Sequence, residues 1–163
     1  MRLRPAIVAD LPAIFELERC SPSAAHWSRQ HYENLLAIAN SQPRPERLAW
    51  VFEKEGETPE RVANKTPEVV AFLVARRIDV EWELENIVVA DAVRRQGLGT
   101  LLLRGLVAHV RSEQGRGIFL EVRESNQKAR QLYQKLGFEE SGLRKNYYAN
   151  PAENAILYRM KMQ

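Results

Sequence analysis

The sequence predicts an α/β or α+β domain built on a mixed sheet with helices on both faces, and three features carry that reading. Period-two apolar stretches alternate with stretches of helical spacing; R-R-Q-G-L-G-T at 94–100 joins an apolar run to a helix start; and two strand-like runs close the chain.

In chain order, residues 2–8 alternate as a strand. Asp10 is placed to cap a helix whose apolar positions Leu11, Ile14 and Phe15 fall at helical spacing, and Pro12 sits in the first turn, where its missing N–H costs nothing. A second helix starts at Ser28, presents Tyr32, Leu35, Leu36 and Ala39 on one face, and ends at the P-R-P around Arg44. Residues 48–52 read as a strand, 53–67 as a polar hairpin loop longer than such loops usually are, and 69–76 as the next strand. Residues 82–89 form the central strand, 98–113 a long helix with Gly115-Arg116-Gly117 as its exit, and 118–122 another strand. A helix over 126–136 stops at Gly137, and strands at 139–143 and 155–162 finish the chain. No internal repeat or linker interrupts this order, so residues 1–163 read as one domain.

Composition agrees with such a domain. The chain is 45% hydrophobic and 28% charged, enough apolar material for a core. Its single cysteine, Cys20, allows no internal disulfide and fits a reducing cytoplasm. There is no long apolar run to serve as an export signal or membrane span. A net charge of +3 with mixed signs gives no stripe for nucleic acid, only a mild bias towards a polyanionic ligand. His26, His31 and His109 lack metal-ligand spacing, so no metal is expected.

The glycine-bearing turn is the feature closest to chemistry. Glycines two residues apart let backbone approach a ligand, and the first N–H groups of a helix have no internal partners. With the positive end of the helix dipole they suit a pyrophosphate. There is no G-K-[ST] and no third glycine at the required offset, which sets nucleoside triphosphates and NAD aside. Taken alone, the turn reads equally as an ordinary tight turn entering a helix.

A second pattern breaks that tie. R/Q-x-x-G-x-G/A falls on Arg94, Gly97 and Gly99, and N-x-x-A-x-x-L-Y-x-x-x-G-F falls on Asn126, Ala129, Leu132, Tyr133, Gly137 and Phe138. With both motifs in this order the chain resembles the GNAT acyltransferase superfamily. L-E-V-R-E-S-N at 120–126, K-N-Y-Y at 145–148 and A-I-L-Y-R at 155–159 are similar to its branch of bacterial ribosomal-protein-alanine N-acetyltransferases, the RimI type.

The resemblance implies a GNAT fold, with a sheet that splays between its fourth and fifth strands and acetyl-CoA in the notch. The backbone of Ile87, Val88 and Val89 would pair with the pantetheine amides as an added strand. The N–H groups of Arg95, Gln96, Gly97, Leu98, Gly99 and Thr100 would hold the pyrophosphate, with charge from Arg94 or Arg95, and Asn126 would contact the cofactor besides capping its helix. Transfer to an amine needs a neutral nucleophile, a polarised thioester and a proton for the departing thiolate. An α-amino group, with a pKa of about 7.7–8.0 against about 10.4 for lysine, demands less of its base. Glu121 matches the general base and Tyr133 the proton donor to sulfur, and a backbone N–H near Val88 or Val89 would steady the oxyanion. Without the resemblance Glu121 reads as a surface glutamate and Tyr133 as a core aromatic.

Two alternatives stay open. Glu81, Glu83 and Glu85 share one side of the central strand by alternation, and Glu83 falls where some lysine-directed relatives carry their base. A non-catalytic acetyl-CoA-binding module is the other, although it would not require both Glu121 and Tyr133. The acceptor wall is expected from the loop at 21–27, bearing Trp27, and from the terminal hairpin bearing Tyr147 and Tyr148. By the resemblance, that hairpin favours a protein N-terminus, the alanine of a small-subunit ribosomal protein, as the acceptor, and the enzyme is expected to be cytoplasmic and monomeric. A-H-W-S stands at 25–28 where the branch has F-P-W-S, so the neighbouring acceptor side chain is left unassigned.

Overall fold

The computed structural model describes residues 1–39, 46–54 and 68–162. The expected stop at P-R-P and nearly all of the 53–67 loop lie outside these residues. Seven strands form one sheet in the order β1-β2-β3-β4-β5-β7-β6. They are β1 (Arg2–Pro5), β2 (Arg47–Lys54), β3 (Glu68–Ile78), β4 (Glu81–Val89), β5 (Gly117–Arg123), β6 (Glu139–Ala149) and β7 (Ala152–Lys161), joined by helices α1 (Leu11–Arg19), α2 (Arg29–Ala39), α3 (Leu98–Ser112) and α4 (Gln127–Lys135). The sheet is mixed, as the sequence predicts: β4 and β5 run parallel, whereas β1–β2, β5–β7 and β6–β7 are antiparallel.

The chain divides into two units, Met1–Val74 with Asn86–Gly99, and Ala75–Glu85 with Thr100–Gln163. In the first, α1 contributes Leu11, Ile14 and Leu17, and α2 contributes Tyr32, Leu35 and Leu36, to one core with Val51, Phe72 and Val88. Each such side chain taken fully from water stabilises the unit by roughly 1.5–3 kcal/mol before entropy is counted. Ser28 accepts the His31 N–H at 3.2 Å and so caps the start of α2.

Two expectations at the N-terminus need correction. The first strand ends at Pro5 instead of residue 8, leaving Ile7 and Val8 exposed. Asp10 makes no side-chain cap on α1. Its buried carboxylate accepts instead from the Arg4 guanidinium at 2.7 and 2.8 Å and from the Ile7 N–H at 2.8 Å. A bidentate charged partner outcompetes a single helix N–H for the same oxygens.

In the second unit β5 pairs with β7 over seven residues and β7 with β6, burying Ile118, Leu120, Val122, Ile156 and Tyr158. The closing strands are longer than the sequence reading allowed, reaching Ala149 and starting at Ala152. Alternation breaks at register shifts near Gly142 and between Arg144 and Tyr148, which hide the continuity of β6 from a period-two reading. Gly115 donates to the Val110 carbonyl at 2.8 Å where α3 ends.

Candidate active site

The glycine turn lies in the first unit. Val89 ends β4, Asp91–Val93 form one short helical turn, and α3 begins at Leu98. Arg95 has φ +64 and Gly97 φ +83, an alternation that turns successive N–H groups towards one side as an anion nest. A Cβ on Gly97 would meet nothing within 4 Å, so this backbone is open to a ligand. Leu98, Gly99 and Thr100 are the first residues of α3, whose leading N–H groups have no helical acceptors. The residues fit a pyrophosphate. Arg94 contributes less charge than expected: its Nε donates to the Val89 carbonyl at 3.2 Å and its Nη1 pairs with Asp91 at 2.6 Å, folding the side chain onto its own loop. Arg95 and Gln96 are exposed.

In the second unit, β4 and β5 pair in register from Glu81 and Gly117 to Leu84 and Leu120. The register ends there while both strands continue, and the next β5 residue is Glu121. Its carboxylate meets Arg144 Nε at 3.1 Å. A hydrogen-bonding interaction with Glu121 is the main reason the Tyr147 phenol sits above its ordinary pKa. Burial, reinforced by Glu121, pushes the Tyr148 phenol up to about 12. The Arg123 guanidinium lies 4.1 Å from the Tyr148 ring centre and pairs with Glu153 at 3.0 Å, tying the hairpin to β5. Three residues assigned from sequence, Glu121, Tyr147 and Tyr148, thus come together. The arginines that set them, Arg123 and Arg144, were missed, because an arginine on a strand carries no signal of its partner.

Tyr133 is buried in α4, edge-on to Phe138 at 5.8 Å and tilted to Tyr158 at 6.0 Å. Burial first, and then Tyr148, hold its phenol well above the usual range. The group is therefore neutral at physiological pH, a donor of a hydrogen bond. Asn126 caps α4, its Oδ1 accepting the Ala129 N–H at 3.2 Å, so that expected role holds.

Glu83 is placed differently from Glu121. Arg76 Nη2 donates to Glu83 at 2.5 Å, and Arg76 Nε lies 3.5 Å from Glu85. Glu81 is paired with Arg159. The row of glutamates is an ion-paired strand face, not a solvated one.

Trp27 lies in the first unit, half-buried, 4.5 Å from the His31 ring and 5.4 Å from Tyr32. His31 and His109 are both held below the ordinary histidine pKa, chiefly by burial. Among the described residues no cluster of histidine, cysteine or carboxylate could hold a metal, and no helix is long and apolar enough to cross a membrane.

Known proteins are similar to this chain in sequence and in fold. A candidate ribosomal protein bS18-alanine N-acetyltransferase of Bacillus subtilis is 39% identical over 148 residues, 91% of this chain and 87% of that protein. The bS18-alanine N-acetyltransferase of Haemophilus influenzae is 38% identical over 93 residues, so the match covers 55% of this chain and only 63% of that relative's length. The crystal structure of the ribosomal-protein-S18-alanine N-acetyltransferase from Escherichia coli superposes with a TM-score of 0.77 at 28% identity, covering 99% of this chain and 94% of that one. Residues 11–138, which carry the anion nest, Glu121 and Tyr133, match the acetyltransferase (GNAT) family along their whole length, and the chain belongs to that family.

Proposed function

We propose that this protein transfers an acetyl group from acetyl-CoA to the N-terminal α-amino group of a protein, with the alanine end of a bS18-type ribosomal protein as its acceptor in the cytoplasm. The observation that carries the reading is the setting of Glu121: a carboxylate at the end of the β4–β5 register, flanked by Tyr147, Tyr148 and Arg144. The similarity to bS18-alanine N-acetyltransferases supports the choice of acceptor.

Acetyl-CoA supplies an activated acyl group as a thioester. The nest at Arg95, Gln96, Gly97, Leu98, Gly99 and Thr100 binds its pyrophosphate, the backbone of Ile87, Val88 and Val89 takes its pantetheine amides, and Asn126 contributes a further polar contact. Glu121 removes the proton from the arriving ammonium, directly or through one water, freeing the nitrogen lone pair to attack. As the carbon–sulfur bond breaks, Tyr133 Oη–H passes its proton to the departing sulfur and is reprotonated, directly or through water, by the second proton shed from the nitrogen of the new amide, so CoA leaves as the free thiol. Tyr147 and Tyr148 in the second unit, and Trp27 in the first, are the aromatic residues assigned to the acceptor chain. Glu83 is held by Arg76 as Glu121 is by Arg144, so the choice of Glu121 rests on its place beside Tyr147 and Tyr148.

Two peptides test the reading, incubated with the protein and acetyl-CoA and weighed by mass spectrometry. One has a free N-terminal alanine and no lysine; the other has a blocked N-terminus and an internal lysine. Acetylation of the first alone is expected. Modification of the second alone would transfer the role of base to Glu83, and silence from both with acetyl-CoA still bound would leave a binding module.

A further inference from the structure

Glu18 is 3% exposed near the end of α1, and a buried carboxylate is costly unless donors surround it. One of its oxygens, Oε1, accepts from Asn86 Nδ2 at 2.9 Å and from the backbone N–H of His26 at 3.0 Å. Asn86 Nδ2 also donates to Tyr32 Oη at 3.2 Å, and the Tyr32 ring packs against Phe15 and Trp27. His26 has φ +53, a left-handed conformation that a non-glycine residue keeps only where its surroundings hold it. The single side chain holding that strained N–H is therefore Glu18, and its other donor, Asn86, directly precedes Ile87.

We infer that Glu18 is a positioning residue for acceptor binding: with Asn86 it braces the loop at 21–28 against the strand bearing Ile87, Val88 and Val89, and so fixes where Trp27 presents its ring. The inference rests on the acceptor role proposed for that loop. The hydrogen bonds of Glu18 described above end on His26 and Asn86 and on no residue of the glycine turn, so the brace acts on the acceptor side. Its working part is reach and acceptor capacity, because both bonds end on one oxygen.

Three variants separate reach from charge. Glu18→Gln keeps the length and an acceptor oxygen without charge; Glu18→Asp keeps the charge one methylene short; Glu18→Ala has neither. Two readouts apply, amide hydrogen exchange at His26 and the KM for the alanine peptide against the KM for acetyl-CoA. Exchange at His26 and the peptide KM should each rise about tenfold in the Asp and Ala variants, with kcat and the acetyl-CoA KM unchanged, and Gln should restore both. Unaltered His26 exchange in the Asp variant, a Gln variant that behaves like Ala, or a uniform rise in exchange across β2, β3 and β4 would overturn the inference. So would a loosened loop with an unchanged peptide KM. If the unaltered protein acetylates neither peptide, the proposed acceptor falls, while His26 exchange still decides whether Glu18 holds the loop.

Discussion

The glycine turn and the Glu121 cluster hold their chemistry in different parts of the polypeptide. In the turn the groups proposed to bind are backbone N–H donors, set by two positive φ angles and the start of α3, and of its two arginines Arg94 is folded onto Val89 and Asp91 while Arg95 is exposed. In the cluster the working groups are side chains, and their neighbours, Arg123 and Arg144, decide how each carboxylate and phenol is placed. A backbone site tolerates changes of side chain but not of φ, whereas a side-chain site fails when one functional group is changed and its backbone is left intact.

The largest effect should come from the cluster. Glu121→Gln keeps the shape of the side chain and its contact with Tyr147 but cannot accept the ammonium proton. Transfer to the alanine peptide should fall about 10²- to 10⁴-fold, with acetyl-CoA affinity preserved. Glu83→Gln, which disturbs only an ion pair with Arg76, should leave turnover within about twofold. Steady-state kinetics with isothermal binding of acetyl-CoA measure both. Equal losses for the two variants would erase the distinction between the glutamate beside the tyrosines and the glutamate paired on the strand face.

What was legible in the sequence follows the same division. The nest could be read because glycine spacing and the start of a helix are local, as was the Asn126 cap. The strands around Trp82 and Ile118 announced themselves by apolar runs. The cap expected of Asp10 failed because Arg4, six residues back, claims its carboxylate, and the ion-paired face of Glu81, Glu83 and Glu85 depends on Arg76 and Arg159 from other strands. Glu18 carried no signal at all, since a glutamate at a helix end reads as surface until Asn86, 68 residues away, is seen to donate to it. Period and punctuation are written locally; long-range polar partners are not.

Tyr133→Phe should have an intermediate effect. A thiol has a reference pKa of about 8.5, so the departing sulfur is only a moderate base and needs less help than the amine. Turnover should drop about 10- to 100-fold with the melting temperature little changed, because the ring and its contacts with Phe138 and Tyr158 remain. The phenol is held neutral by burial, so the unaltered enzyme should show no loss of rate between pH 7 and about pH 9 that the Phe variant abolishes. Full activity in the variant would return Tyr133 to the core as a packing residue.

The smallest effect should come from the turn, and it should land on a different constant. Gly97→Ala adds a methyl group that meets nothing within 4 Å, so any cost is conformational. Holding an L-residue at φ +83 costs about 1–2 kcal/mol, and the loop relaxes away from the nest geometry to avoid it. The KM for acetyl-CoA should rise about tenfold while kcat at saturation stays put. Arg94→Ala, which takes away a guanidinium already folded onto Val89 and Asp91, should change that KM by less than about threefold. A reversal, with Arg94→Ala the more damaging of the two, would mean that charge and not backbone geometry holds the pyrophosphate, and the contrast between the two regions would be lost.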